Sequence, residues 1–143
     1  MPEARARRVR RGPATPETLE AVHDDLDELW THAEFVPETD RMAFTLAVIE
    51  ASTNVVAHAV PTTSSPVELQ VEITVDDTRL EANIYGIGAA PFTTDPTAGR
   101  QAAADDESGR GLALIQALVG TVVFERRDDA NVWVLRREHH GVQ

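Results

Sequence analysis

The sequence predicts an α+β fold in two layers, with helices packed on one face of a mixed, largely antiparallel sheet. Three observations lead there. Two segments in the first half carry apolar residues at spacings of three and four. Two later pairs of segments alternate apolar and polar residues around tight turns. A third helical segment lies between those pairs, so runs of helix and runs of strand follow one another without the regular alternation of a parallel sheet.

The elements follow in chain order. Residues 1–14 form a basic arm or an edge strand, with five arginines in the first twelve residues opposed only by Glu3. The domain proper is expected over 15–137. Thr15 or Thr18 caps a first helix whose apolar face is Leu19, Val22, Leu26, Leu29 and Trp30, running to about His32. Phe35 to Pro37 make a break. A second helix begins at Thr39 or Asp40, with Met42, Leu46, Ile49, Thr53 and Val56 as its expected buried stripe, and stops near Val60 before Pro61. Val67 to Val75 alternate cleanly, Asp76-Asp77-Thr78 turn, and Leu80, Ala82 and Ile84 return as a second strand. Gly86 to Ser108 have no periodicity and are rich in Gly, Pro, Ala, Thr and Asp, the mark of a functional loop. Gly109 to Gly111 open a third helix with Leu112, Ile115, Leu118 and Val119 inward. A last hairpin, Val122–Glu125 and Asn131–Leu135, turns at Asp128-Asp129, and 138–143 are a tail.

Composition bounds the function. A 143-residue chain can bury about 70% of its unfolded surface and needs no staple. Cysteine is absent, which excludes thiolate metal sites and disulfides and fits a reducing compartment. All 13 basic residues are arginine. The longest apolar stretch, Leu112 to Phe124, is interrupted and falls short of the ~20 residues that span a bilayer. A net charge of −11 argues against direct contact with nucleic acid. A soluble cytoplasmic protein is expected.

Three places carry chemistry. The first is Glu50-Ala-Ser-Thr-Asn54-Val-Val-Ala-His58. Spacings of four set Glu50, Asn54 and His58 in a row on one helix face, about 6 Å apart. A carboxylate and an amide one turn apart can serve a hard cation such as Mg²⁺, which prefers oxygen and leans on a ligand's phosphates. Glu50 can instead act as a general base. An ordinary polar helix face is the plain alternative, and for His58 a capping role is favoured. The second is Ile84-Tyr-Gly86-Ile-Gly88, directly after a strand, where glycines let backbone N–H groups approach a phosphate or a base edge; a simple turn is the alternative. The third is Ser108-Gly109-Arg110-Gly111-Leu112, glycines ahead of an apolar helix whose first N–H groups can bind an anion, with Arg110 in reach of a phosphate.

In this order the pieces resemble the histidine-kinase-like ATPase fold of sensor kinases and type II topoisomerases. Within it, size and the segments Gly111-Leu-Ala-Leu-Ile-Gln-Ala-Leu-Val and Glu125-Arg-Arg-Asp resemble the anti-sigma-factor serine kinases. The resemblance implies that Asn54 holds Mg²⁺ against ATP and that Glu50 is the base toward an acceptor serine. It further implies that Gly86 and Gly88 flank the adenine pocket, and that Gly109, Arg110 and Gly111 hold the phosphates under a lid over Ala89–Ser108. A sigma factor and an anti-anti-sigma protein are the implied partners, in transcription regulation, with homodimerisation open. The family's adenine-binding aspartate is missing: two residues before Gly86 stands Ile84, and two before Gly88 stands Gly86. A nucleotide-independent pseudokinase that acts as an interaction module is therefore the alternative expectation.

Overall fold

The structure is a computed structural model and describes residues 5–91 and 107–140. Among them, three helices pack on one five-stranded sheet in the chain order β1 (Ala6–Pro13), α1 (Pro16–Thr31), α2 (Glu38–His58), β2 (Glu68–Val75), β3 (Arg79–Ile87), α3 (Glu107–Val119), β4 (Thr121–Arg127) and β5 (Ala130–Glu138). The spatial order is β1-β2-β3-β5-β4 and every pairing is antiparallel. The sheet is thus antiparallel throughout, with no parallel pair to make it mixed.

Alternation decides which side of the sheet meets the helices. Leu69, Val71, Ile73 and Val75 of β2 and Leu80, Ala82 and Ile84 of β3 are buried on the helix side, joined by Trp133 and Leu135 of β5. Polar residues of the same strands, Gln70, Glu72 and Glu81, face the other way and are only half-buried. The β2–β3 turn is tied by the Asp76 carboxylate, which accepts from the amides of Thr78 at 3.0 Å and Arg79 at 2.7 Å.

The arginine-rich segment is β1, at the sheet edge beside β2. Two of its arginines point inward. Arg8 donates to Asp25 of α1 at 2.8 Å, and Arg10 makes a two-pronged contact with the same carboxylate at 2.8 and 2.9 Å. The Asp25 side chain is 5% exposed. Hydrogen bonding from Arg10, reinforced by Arg8, holds its carboxyl below the usual range even though burial pulls the other way.

Helix α1 starts as its sequence dictates: Pro16 sits at the first helical position, and the Thr15 hydroxyl accepts from the Thr18 amide. Helix α2 differs from expectation. Met42 and Leu46 are 60% and 56% exposed, and Thr53 is exposed too. The buried stripe is Phe44, Ala47, Val48, Ala51, Ser52 and Val55. Helix α2 lies between α1 and α3 above the sheet, so its core side is chosen by close approach. Small residues permit that approach better than the large aliphatics on which the expected stripe was phased. Phe44 anchors this face, packed edge-on against Trp30, whose indole N–H donates to Thr45 at 2.9 Å.

Strand β5 runs to Glu138, and His139 beyond it is buried, its Nε2 2.9 Å from the Asp76 carbonyl. Chain expected as tail is therefore packed as far as His139. Among the described residues no helix is long and apolar enough to cross a membrane.

Candidate functional site

The site is built where α2 and α3 pack side by side. Arg137 of β5 fixes their relative direction by donating both to Asp40 at the start of α2 and to the carbonyl of Leu118 near the end of α3. The helices therefore run antiparallel, and the first turns of α3 lie against the second half of α2. There Gly111 lets the backbones approach. A β-carbon on it would lie 3.0 Å from Oε1 of Glu50, 3.7 Å from Nδ2 and 3.9 Å from Oδ1 of Asn54.

Glu50, Asn54 and His58 all line one open groove of about 390 Å³, together with Thr53, Ala57, Gly111 and Leu114. Glu50 and Asn54 are half-buried, and neither makes a hydrogen bond or ion pair with any described residue. His58 is exposed in the last turn of α2.

The helix start differs from the expected one. Helix α3 begins at Glu107, so Gly109, Arg110 and Gly111 lie within it rather than ahead of it. The amides without an acceptor inside the helix are then those up to residue 109, and the Gly111 amide is already in the helical ladder. Gly111 contributes close approach to Glu50 and Asn54 instead of a free donor. The expected lid over Ala89–Ser108 lies outside the described residues from 92 to 106.

Gly86 and Gly88 occupy different surroundings. Gly86 is still in the sheet, paired with Leu69 on one side and Asn131 on the other, and a β-carbon there would meet Val55 at 3.3 Å and Ala89 at 3.7 Å. Gly88 has a φ of +82°, a conformation that favours glycine, and ends the strand. Its N–H donates to the Asp129 carbonyl at 2.8 Å, and its carbonyl accepts from the amide and hydroxyl of Thr62 at 3.0 and 3.2 Å. Ile84 is fully buried in the core, between Val71 and Trp133 in register.

Two residues that the sequence reading did not single out act here. Asn131 donates from Nδ2 to the Ala90 carbonyl at 2.8 Å and accepts at Oδ1 from Arg126 at 3.0 Å. Arg126 also donates to the Ala89 carbonyl at 2.7 Å. The signal was in the alternation: Asn131 is in phase with the core residues Trp133 and Leu135, so its amide had to be buried and satisfied.

The donor set can be weighed against a metal. Among the described residues no cluster of three or more His, Cys, Asp or Glu could hold an ion by itself. One carboxylate and one amide oxygen suit Mg²⁺ only when phosphates and water complete its shell, so the residues fit an ion delivered with a polyphosphate. A second groove of about 390 Å³, between α1 and α2, is lined by Glu20, His23 and Asp24. It has acids but no helix start, and does not suit a phosphate.

Comparison with known proteins follows this geometry. A family model described as histidine kinase-like ATPase domain matches residues 12–137. The solved structure of the RsbU and RsbW domains of Rv1364c from Mycobacterium tuberculosis is similar, with a TM-score of 0.67 and 18% sequence identity. That match covers 93% of this chain and 32% of the other, so the chain spans about a third of its length and shares its fold. No curated protein matches the sequence.

Proposed function

The chain belongs to the histidine kinase-like ATPase domain family, and on that premise we propose that it is an ATP-binding anti-sigma regulator that phosphorylates a serine of an anti-anti-sigma partner. The observation that carries the reading is the groove in which Glu50 and Asn54, unpaired among the described residues, face the start of α3 across Gly111. The solved neighbour with an RsbW domain supports the choice of partners, sigma factor and anti-anti-sigma protein, over the other roles of this fold.

In this reading the amides at the start of α3 take the phosphates, aided by the positive end of the helix dipole. Asn54 would hold a Mg²⁺ ion delivered with the triphosphate through its amide oxygen. A bound Mg²⁺ would supply charge neutralisation between the phosphates. Glu50 takes the proton of the acceptor serine hydroxyl, whose oxygen forms the new bond to the γ-phosphorus. The bond from that phosphorus to the β-phosphate oxygen breaks, and ADP leaves.

A second reading, a nucleotide-independent interaction module, is favoured by one observation: Ile84 or Gly86 stands where the family resemblance implies a base-binding carboxylate, and Ile84 is buried hydrocarbon. Thermal melting with and without Mg-ADP separates the two, because a ligand that binds only the folded state must raise the midpoint. A saturable rise supports nucleotide binding, and no rise at millimolar ligand favours the interaction module. Phosphoserine on a bound partner incubated with Mg-ATP then tests the kinase step.

A further inference from the structure

We infer that an exposed aliphatic ledge of Met42, Leu46 and Leu114, continuing the groove past Glu50, seats the acceptor segment, and that this segment is extended and carries large aliphatic residues two and four positions from its serine. The inference rests on the kinase reading above and names the substrate class of that same site.

Met42, Leu46 and Leu114 are 60%, 56% and 48% exposed. Large aliphatics scattered singly over a surface need no explanation, but these three gather at one end of one groove. Leu46 precedes Glu50 by one turn and Met42 by two, on a four-residue ridge of α2, about 6 and 12 Å along the axis. Leu114 lines the groove with Glu50 from the α3 side. It stands one turn beyond Gly111, and the helices are antiparallel, so it lies toward Leu46 rather than toward His58. Charge is missing here as well. Of the whole chain 26% is charged, yet neither Met42 to Ile49 nor Leu112 to Val119 contains a charged residue. Such a ledge selects apolar side chains, because a polar group laid on it loses water without gaining a partner.

Position decides what the ledge serves. The first amides of α3 lack acceptors within the helix and, with Gly111 against Glu50 and Asn54, lie toward the His58 end of the groove. In the proposed reaction the phosphates take that end. An acceptor hydroxyl that meets Glu50 then arrives from the opposite end, along Leu46 and Met42. An extended chain advances ~3.3 Å per residue and turns alternate side chains to the same side. Two residues from the serine therefore reach Leu46 at about 6 Å, and four reach Met42 at about 12 Å. Both point toward the ledge when the serine points toward Glu50.

The test is phosphotransfer from Mg-ATP by the full chain to short synthetic peptides, each with one central serine in an alanine-glycine background. Leucine is placed in turn at every position on either side. Leucine at the second and fourth positions of one side should raise kcat/KM by about tenfold over the leucine-free peptide. Leu46→Ser and Met42→Ser, each with the wild-type melting midpoint, should bring the two peptides within about twofold. Val9→Ser, which removes an exposed aliphatic of the edge strand β1, should keep the preference. Equal transfer to leucine-bearing and leucine-free peptides, or a preference that survives Leu46→Ser, overturns the inference and leaves the kinase reading standing. Transfer to no peptide overturns both. Sedimentation of the same samples tests the other occupant: a wild-type dimer that Leu46→Ser turns into monomer would assign the ledge to a second copy of the chain and overturn the inference.

Discussion

A β-carbon on Gly111 would stand 3.0 Å from Oε1 of Glu50, which makes the bare glycine a spacer for the carboxylate across the helix pair. Gly111→Ala should separate stability from activity. Alanine is better than glycine inside a helix by about 0.8–1.0 kcal/mol. The atom it meets is the end of a flexible side chain, which can turn away. The melting midpoint should hold or rise by about 2–4 °C. Phosphotransfer should fall by ~tenfold or more, since the base is pushed out of line. Scanning calorimetry beside a phosphoserine assay checks both; a variant that is less stable and fully active would contradict the packing.

The pairing of β1 with α1 through Asp25 predicts an acid-sensitive edge. The folded state depresses the Asp25 carboxyl, so its stabilisation is fully present above the unfolded value of about 3.9 and is lost as pH falls through the folded value. Arg8 and Arg10 remain 30% and 44% exposed, so solvent weakens the interaction, and Asp25→Asn should cost about 1–2 kcal/mol at pH 7. Urea unfolding should show wild type and variant drawing together as the pH falls from below the unfolded value through the folded value of Asp25. A difference that does not narrow at all as pH falls below the unfolded value would mean that the carboxylate charge contributes nothing.

Much of the layout was legible because local pattern and tertiary demand agreed. The alternation from Glu68 to Val75 and the spacing of Val22, Leu26 and Leu29 each served one buried face. Legibility failed where a third neighbour intervened. Met42 and Leu46 are large and in phase with each other, yet α2 turns Ala47, Ala51 and Ser52 inward because two helices and a sheet crowd it. Strand β1 was ambiguous because the residues it turns toward α1 are arginines, whose placement there depends on Asp25, fifteen or more residues away. The stripe of Glu50, Asn54 and His58 was readable from helical spacing alone and lines one groove. The commitment of Gly88 and Asn131 was not, since their partners Thr62, Asp129 and Arg126 come from separate loops and strands.

Asn131 predicts a local loss rather than a global one. In Asn131→Ala the Ala90 carbonyl loses its donor and Arg126 loses one of its two acceptors. A half-buried carbonyl that loses its donor costs less than the about 1–3 kcal/mol of a fully buried one. Hydrogen exchange should quicken at the amides of Ala90 and Thr62, which bond across the same junction, with little change at Val71 or Ile73 in the sheet centre. Uniform acceleration across the sheet would show that Asn131 supports the core as a whole.

Glu50 and Asn54 lie one turn apart in the same groove, and the proposed chemistry gives them different losses. Glu50→Gln keeps the size and a hydrogen-bonding oxygen but removes the proton acceptor. It should lower the phosphotransfer rate by about 10²–10⁴-fold, the range of general-base contributions, while nucleotide affinity stays within about threefold. Asn54→Ala removes an oxygen that serves the ligand before and during transfer, so affinity itself should fall by ~tenfold or more. Single-turnover rates at saturating Mg-ATP, together with calorimetric affinities, tell these apart. If Glu50→Gln weakens binding as much as Asn54→Ala and leaves the saturated rate untouched, the carboxylate holds the ligand and some other group takes the serine proton.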